Sequence, residues 1–209
     1  MKNILILSDG IPGHFNQSKG VASMLSKKHP SNISIIELSF KSHQLRGLIT
    51  ILSRLLMKLP NRLTAKITSF FYSRINTNEI DLIIAAGGKT APYSAALKIL
   101  DDLPVIQLGS PRGLHSSLFN ALVTVERYYE DSSNIIASIT PNLYSPEVCS
   151  IAAKQKNLNE HLLFLIGGEG IGYSYEDREW ESLISAIKDL YDETRIPITV
   201  VTSRRSDPK

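Results

Sequence analysis

Asn3-Ile-Leu-Ile-Leu-Ser-Asp-Gly-Ile-Pro-Gly-His-Phe-Asn-Gln-Ser-Lys-Gly20 decides the fold. Ile4, Leu5, Ile6 and Leu7 form a short apolar run, which suits a strand buried on both faces of a parallel sheet. The loop Ser8 to Gln17 follows, with Pro12 stiffening the turn between Gly10 and Gly13, two residues free to take unusual backbone angles. Helical periodicity resumes through Val21, Ala22, Met24 and Leu25. The stretch thus reads strand, loop, helix, and in open α/β sheets ligands bind at the carboxyl ends of the strands. Asp9, His14, Asn16 and Gln17 supply four polar side chains there. An ordinary turn with Asp9 or Asn16 capping the helix is the competing reading. No Gly-Lys-Ser/Thr follows, and there is no Gly-x-Gly-x-x-Gly, so the loop is neither a P-loop nor a dinucleotide fingerprint.

Working outward, the strand pattern recurs at Ser34–Phe40, Asp81–Ala86, Pro104–Leu108, Ala121–Val125 and Ile135–Ile139. Helical patterns separate most of these runs, which predicts an α/β fold with a Rossmann-like, mainly parallel sheet. This first domain spans 1–145, and a polar linker or linking helix covers 146–160. A second Rossmann-like unit opens at 161, with strand His161–Ile166, helix Asp177–Asp192 and strand Pro197–Val201. Trp180, Leu183, Ile184, Ile187 and Leu190 share one face of that helix. Two strands and a helix do not bury a sheet. The expectation is that 161–209 begins a longer domain or packs on another surface.

Composition narrows the function. Of 209 residues, 43% are hydrophobic and 21% charged, as in ordinary globular proteins. Cys149 is the single cysteine, which excludes an internal disulfide and fits a reducing compartment; it reads as a buried inert thiol. Lys2 is followed by only a short apolar run, unlike a secretory signal, and no stretch has the length and apolarity of a membrane span.

The net charge of +3 hides an asymmetry. Lys41, Arg46, Arg54, Lys58, Arg62, Lys66 and Arg74 fall between Lys41 and Ile75 with no acidic residue, and the rest of the chain has 16 basic against 20 acidic residues. Large apolar residues such as Leu55, Leu56, Phe70 and Phe71 share the segment, and Pro60 divides it into two helices. Such helices dock on an anionic membrane surface or, alternatively, bury the apolar side and leave the charges in water. Nucleic acid fits less well, because no recognised module is present and the segment is too apolar to track phosphates.

Four loops after strands carry the candidate chemistry. Asp9 and His14 are candidates for general acid/base work, with Gly10, Gly13, Asn16 and Gln17 beside them. Gly87-Gly88-Lys89-Thr90 opens a helix and offers backbone amides to an anion. Arg112, in Gln107-Leu-Gly-Ser-Pro-Arg112, can hold phosphate or carboxylate bidentately, or sit in a structural ion pair. In the second unit Gly167-Gly168-Glu169-Gly170 and Thr202-Ser203-Arg204-Arg205 repeat the pattern. A phosphate-friendly edge in both units points to a nucleotide-type ligand. No spacing of His, Asp, Glu or Cys demands a metal.

In this order the motifs resemble a family of bacterial and plant proteins named for a plant mitochondrial-fission factor, whose bacterial members are grouped with glycosyltransferases. Ser8-Asp-Gly-Ile-Pro-Gly-His-Phe-Asn-Gln-Ser-x-Gly20 resembles its opening signature. Ala86-Gly-Gly-Lys89-Thr-Ala91 resembles its second motif with Lys89 in place of Arg, and Gln107-x-x-x-Pro-Arg112 its third. Leu165-Ile-Gly167-Gly168 and Thr202-Ser-Arg-Arg205 resemble later ones, although Gly170-Ile-Gly172 departs from the usual Pro-containing run.

The resemblance implies a GT-B architecture of two Rossmann-like domains. It implies a nucleotide-sugar donor on the C-terminal domain, a glycan or lipid-linked acceptor on the N-terminal one, and no obligatory metal or other cofactor. The expected activity is sugar transfer in cell-surface polysaccharide or lipopolysaccharide synthesis, in the cytoplasm or peripherally on the inner face of its membrane. A nucleotide-sugar epimerase and a non-catalytic nucleotide-binding or membrane-adaptor module are the alternatives.

Overall fold

The computed structural model describes residues 1–42, 44–156, 161–168, 174–203 and 206. The chain divides into two compact units, Met1–Ser145 and Pro146–Lys209.

The first unit is built on six parallel strands: β1 (Lys2–Ser8), β2 (Ser31–Glu37), β3 (Leu82–Ala86), β4 (Val105–Leu108), β5 (Ala121–Thr124) and β6 (Asn134–Ile136). Their order across the sheet is β2-β1-β3-β4-β5-β6. The chain steps outward from β1 in one direction to β2, then returns to β3 on its other side. The carboxyl ends of β1 and β3 therefore flank a topological switch point.

Alternation along the strands sorts the core. Leu5, Leu7, Ile83, Ala85 and Val105 face helices α2 (Arg46–Met57), α3 (Arg62–Phe70) and α4 (Ala91–Asp101). Ile4, Ile6, Ile84, Ala86 and Leu108 face α1 (Pro12–Lys28) through Ala22, Phe15, Val21 and Leu25. Both faces are covered, which explains why β1 and β3 read as unbroken apolar runs.

The sequence expectation for the second strand, Ser34–Phe40, is displaced by three residues. The ladder to β1 runs from Lys2↔Ser31 to Ser8↔Glu37, and Leu38 N–H donates to Ser8 O beyond it. Leu38 and Phe40 are apolar because they drop into the α2–α3–α4 core, where the Phe40 and Tyr72 ring centroids lie 4.9 Å apart. Tyr72 stacks in turn on Tyr93 at 4.5 Å, and burial pushes the Tyr72 phenol up to about 12. The sixth strand ends early, at Ile136, and starts at Asn134, whose amide donates to Leu122 O and Thr124 Oγ1.

The second unit contains α5 (Pro146–Lys156), β7 (Leu162–Ile166), α6 (Asp177–Thr194) and β8 (Ile198–Thr202), with β7 and β8 parallel. Cys149 is exposed on α5, not buried, because this helix does not present it to an apolar core. Trp180, Leu183, Ile187 and Leu190 are half-buried along α6, whereas Ile184 is exposed. Leu163, Leu165 and Val201 are also exposed.

Gly13 and Gly20 both sit in α1, and their surroundings differ. A Cβ on Gly20 would lie 2.5 Å from the Asn142 carbonyl oxygen, so α1 packs there backbone against backbone. A Cβ on Gly13 would meet nothing within 4 Å. Gly20→Ala should therefore lower stability by about 1–3 kcal/mol through overpacking, while Gly13→Ala should raise it by about 0.4–1 kcal/mol. Thermal denaturation of the two variants checks this, and shifts of the same sign would overturn the packing account.

Candidate functional site at the carboxyl edge of the first sheet

The end of β1 turns on Gly10, whose φ of +77° lies in the left-handed region. Gly10 N–H donates to Ser8 Oγ at 3.1 Å, and Ile11 N–H donates to Asp9 Oδ1 at 3.2 Å. Helix α1 then starts at Pro12, earlier than the sequence reading placed it. Gly13, His14, Asn16 and Gln17 consequently lie in its first turns and not in a loop, and Gly13 has no need of unusual angles. The helix N-cap is Ile11 without a side-chain bond, so neither Asp9 nor Asn16 caps it.

That early start puts His14 one helical turn from Asp9. His14 Nδ1 lies 2.9 Å from Asp9 Oδ2. The Asp9 side chain is 1% exposed and that of His14 33%. With Asp9 as carboxylate, Nδ1 is the nitrogen that carries the proton toward it, and in the neutral ring Nε2 is the one with the lone pair. The other carboxylate oxygen is engaged by Ile11 N–H, so Asp9 is fixed at both ends. Asn16 is exposed and Gln17 half-buried.

The loop after β3 meets this pair across the switch point. Gly87 has φ +88°, and a Cβ on it would overlap the His14 ring and come within 2.9 Å of Asp9 Oδ2. Its carbonyl accepts from Gln107 Nε2 at 3.2 Å and from Thr90 Oγ1 at 3.0 Å. Gln107, on β4, is fully buried and also donates to Leu108 O. Thr90 is fully buried too, and its hydroxyl reaches Ala86 O. Thr90 and Gln107 therefore shape the glycine loop from behind. Lys89 is half-buried at the front.

After β4, Gly109 and Gly113 have positive φ, and so does Arg112, at +56°. Arg112 N–H donates to Ser110 Oγ at 3.3 Å. The fold brings this side chain onto Gly88, where a Cβ would come within 2.7 Å of Arg112 Nε and 3.1 Å of Arg54 Nη2. Arg54 donates from Nη2 to Gly88 O at 3.1 Å. Sequence reasoning placed Arg54 in a membrane stripe. Its one distinguishing signal is its position one turn after Thr50 and next to Ser53, the small polar residues on the buried side of α2.

A cavity of about 280 Å³ opens beside Asp9, lined by Glu37, Leu38, Ser39, Phe40, Arg46 and Lys89. Glu37 and Arg46 had no motif to mark them. Both come from elements that end at this edge. Among the described residues no group of three or more His, Cys, Asp or Glu could hold a metal.

In the second unit Gly167 and Gly168 follow β7, and Thr202 ends β8 with Ser203 next to it. Ser203 N–H donates to Ser206 Oγ at 3.1 Å, and Ser206 N–H donates to Ser203 O at 2.9 Å. Glu169, Gly170 and Gly172, with Arg204 and Arg205, lie outside the described residues.

The Asp9 contact should fix the His14 tautomer. In ¹⁵N spectra above neutral pH the His14 ring should be protonated at Nδ1 in the wild type. In Asp9→Ala it should shift toward the Nε2–H form. An unchanged ring pattern would mean that Asp9 does not orient the imidazole.

A comparison with curated proteins returns no match. Among solved structures, Acinetobacter baumannii MurG aligns over 97% of this chain and 66% of its own, with 14% identity and a TM-score of 0.48. Staphylococcus aureus MnaA, solved with UDP, aligns over 98% and 62%, with 10% identity and a TM-score of 0.49. The chain thus spans less than two thirds of the length of either. A ligand-free substrate-binding protein from Clostridium difficile, CD0873, aligns over 97% and 58%, with 10% identity and a TM-score of 0.33. The match that carries weight is to a family model: residues 12–209 fit the one described as Mitochondrial fission ELM1, and the chain belongs to that family.

Proposed function

We propose that the protein acts as a GT-B-type glycosyltransferase, with an acceptor site in its first unit and donor-binding residues in its second. It would move a sugar from a nucleotide-sugar donor to a glycan or lipid-linked acceptor. The observation that carries this reading is the part-buried Asp9–His14 pair at the switch point, pressed against Gly87. A partly exposed imidazole with its inner nitrogen held by a buried carboxylate is suited to accept a proton at Nε2.

In the reaction, an acceptor hydroxyl oxygen attacks the anomeric carbon of the donor. His14 Nε2 takes the hydroxyl proton as the new glycosidic bond forms. The bond between the anomeric carbon and the diphosphate oxygen breaks, and the nucleoside diphosphate leaves with the electron pair. In the second unit, taken by itself, Gly167, Gly168, Thr202, Ser203, Arg204 and Arg205 are the proposed contacts to a nucleotide-sugar donor, on the pattern of backbone amides and cations stabilising developing charge.

The same reading places the first unit on an anionic membrane. Leu48, Ile51 and Leu55 of α2 and Leu63, Ile67 and Phe70 of α3 are exposed, with Lys58, Arg62 and Lys66 among them. Lys41 Nζ lies 4.0 Å from the Phe70 ring centre. Apolar side chains mixed with cations fit an interface with acidic headgroups. The membrane set is smaller than the sequence suggested: Leu56 and Phe71 are half-buried, Phe71 against the core, and Arg54 turns to Gly88. Among the described residues no helix is long and apolar enough to cross a membrane.

His14→Ala should lower sugar transfer by about 10²–10⁴-fold while the fold, followed by circular dichroism, is retained. The assay uses labelled nucleotide sugars with product analysis. Epimerised donor without acceptor would replace transfer by the epimerase reading, and wild-type turnover in His14→Ala would remove the proposed base.

Docking is tested separately by vesicle co-sedimentation of a variant with Lys58, Arg62 and Lys66 changed to Glu. Each residue that reaches the surface contributes about 1 kcal/mol, so binding to anionic vesicles should fall by at least an order of magnitude. Equal binding by wild type and variant would exclude electrostatic docking.

A further inference from the structure

We infer that Arg54 and Arg112 form a two-guanidinium site for a diphosphate-type oxyanion, seated on the Gly88 backbone. The proposal rests on the acceptor-side reading and deepens it by naming the group gripped there, and it adds Arg54 from α2.

The two side chains reach Gly88 from separate elements, Arg54 from α2 and Arg112 from the turn after β4. Neither forms an ion pair with a carboxylate among the described residues. Two cations held side by side without an acid repel each other, and this raises the free energy of the empty site. Arg54 is also partly desolvated: its Nε is buried without a hydrogen-bond partner. Burial first, and the Arg112 charge second, make the Arg54 proton easier to lose than usual. Arg112 is held in a left-handed backbone conformation that non-glycine residues seldom adopt. Gly88 has no side chain, and any Cβ there would enter the space of both guanidinium groups.

Such an arrangement costs stability in the absence of a ligand, and an oxyanion relieves it. A diphosphate offers oxygens to two planar donor forks, which a single carboxylate does not. Lys58 approaches the same turn, its Cε 4.0 Å from where a Gly113 Cβ would stand, and adds positive charge. The diphosphate can be soluble or can belong to a lipid headgroup, since the exposed apolar residues lie on the same helix as Arg54.

The test is calorimetry of the full chain with inorganic pyrophosphate in a chloride buffer, on wild type, Arg54→Gln and Arg112→Gln. Wild type should bind, and each variant should lose at least tenfold in affinity. Arg112→Gln should also melt at the same or a higher temperature than wild type without pyrophosphate, because it removes repulsion and no side-chain bond. Absence of wild-type binding at millimolar pyrophosphate, or unchanged affinity in both variants, would overturn the site. A clear drop in the melting temperature of Arg112→Gln in the empty state would do the same, by showing a structural role.

Competition then identifies the source. Displacement of pyrophosphate by a nucleoside diphosphate marks a soluble ligand, and displacement by phosphatidic acid vesicles but not phosphatidylcholine vesicles marks a lipid one. Either supports the site. Pyrophosphate binding needs no sugar transfer, so its persistence in a protein without transferase activity would remove the transferase reading and leave this one standing.

Discussion

Gly87 is the point on which the site depends. Its positive φ turns the chain away from β3, and its missing side chain leaves the space that the His14 ring and the Asp9 carboxylate occupy. The glycine is not left free to flex. Gln107 and Thr90 both bond its carbonyl from the buried side. A buried amide with such partners is costly to misplace, since breaking one bond leaves a polar group unsatisfied in the interior. The rigid backbone behind Gly87 thus defines the wall against which the Asp9–His14 pair is set.

From that wall the rest of the edge follows. The sheet order brings the ends of β1, β3 and β4 side by side, and each contributes one kind of group. β1 supplies the carboxylate and, through α1, the imidazole. β3 supplies bare backbone, and β4 supplies a guanidinium on a strained turn. Helix α2 lies over this edge, with Arg46 at the cavity beside Asp9 and Arg54 at Gly88. One helix thereby has two jobs. Its buried face carries Ile49, Thr50, Ser53 and Met57, and its outer face carries exposed leucines and isoleucines.

The glycines of the opening motif separate in the same way. Gly10 answers a backbone requirement, Gly20 a packing requirement against Asn142, and Gly13 neither. A motif that reads as one functional loop is therefore partly a packing signature for α1. The same holds for Gln107 and Thr90, which act on the loop geometry from behind.

The sequence by itself determined the elements whose signals are local. Apolar runs ending in glycine gave β1, β3 and β4 to within a residue or two, Pro60 separated α2 from α3, and the loops after strands marked the edge where polar groups gather. Local pattern failed where apolar residues serve a distant core, as with Leu38 and Phe40 in place of a longer β2. It failed again for Cys149, whose exposure depends on what α5 packs against. Only tertiary structure assigned the basic residues of 41–75. Charge alone does not separate Arg54 from Lys66 on paper. They differ because α2 crosses the carboxyl edge of the sheet, where the Gly88 carbonyl offers Arg54 an acceptor, whereas Lys66 on α3 is exposed. A side chain's role there is set by which backbone lies beneath it, and that is decided by strands brought together from far apart in the chain.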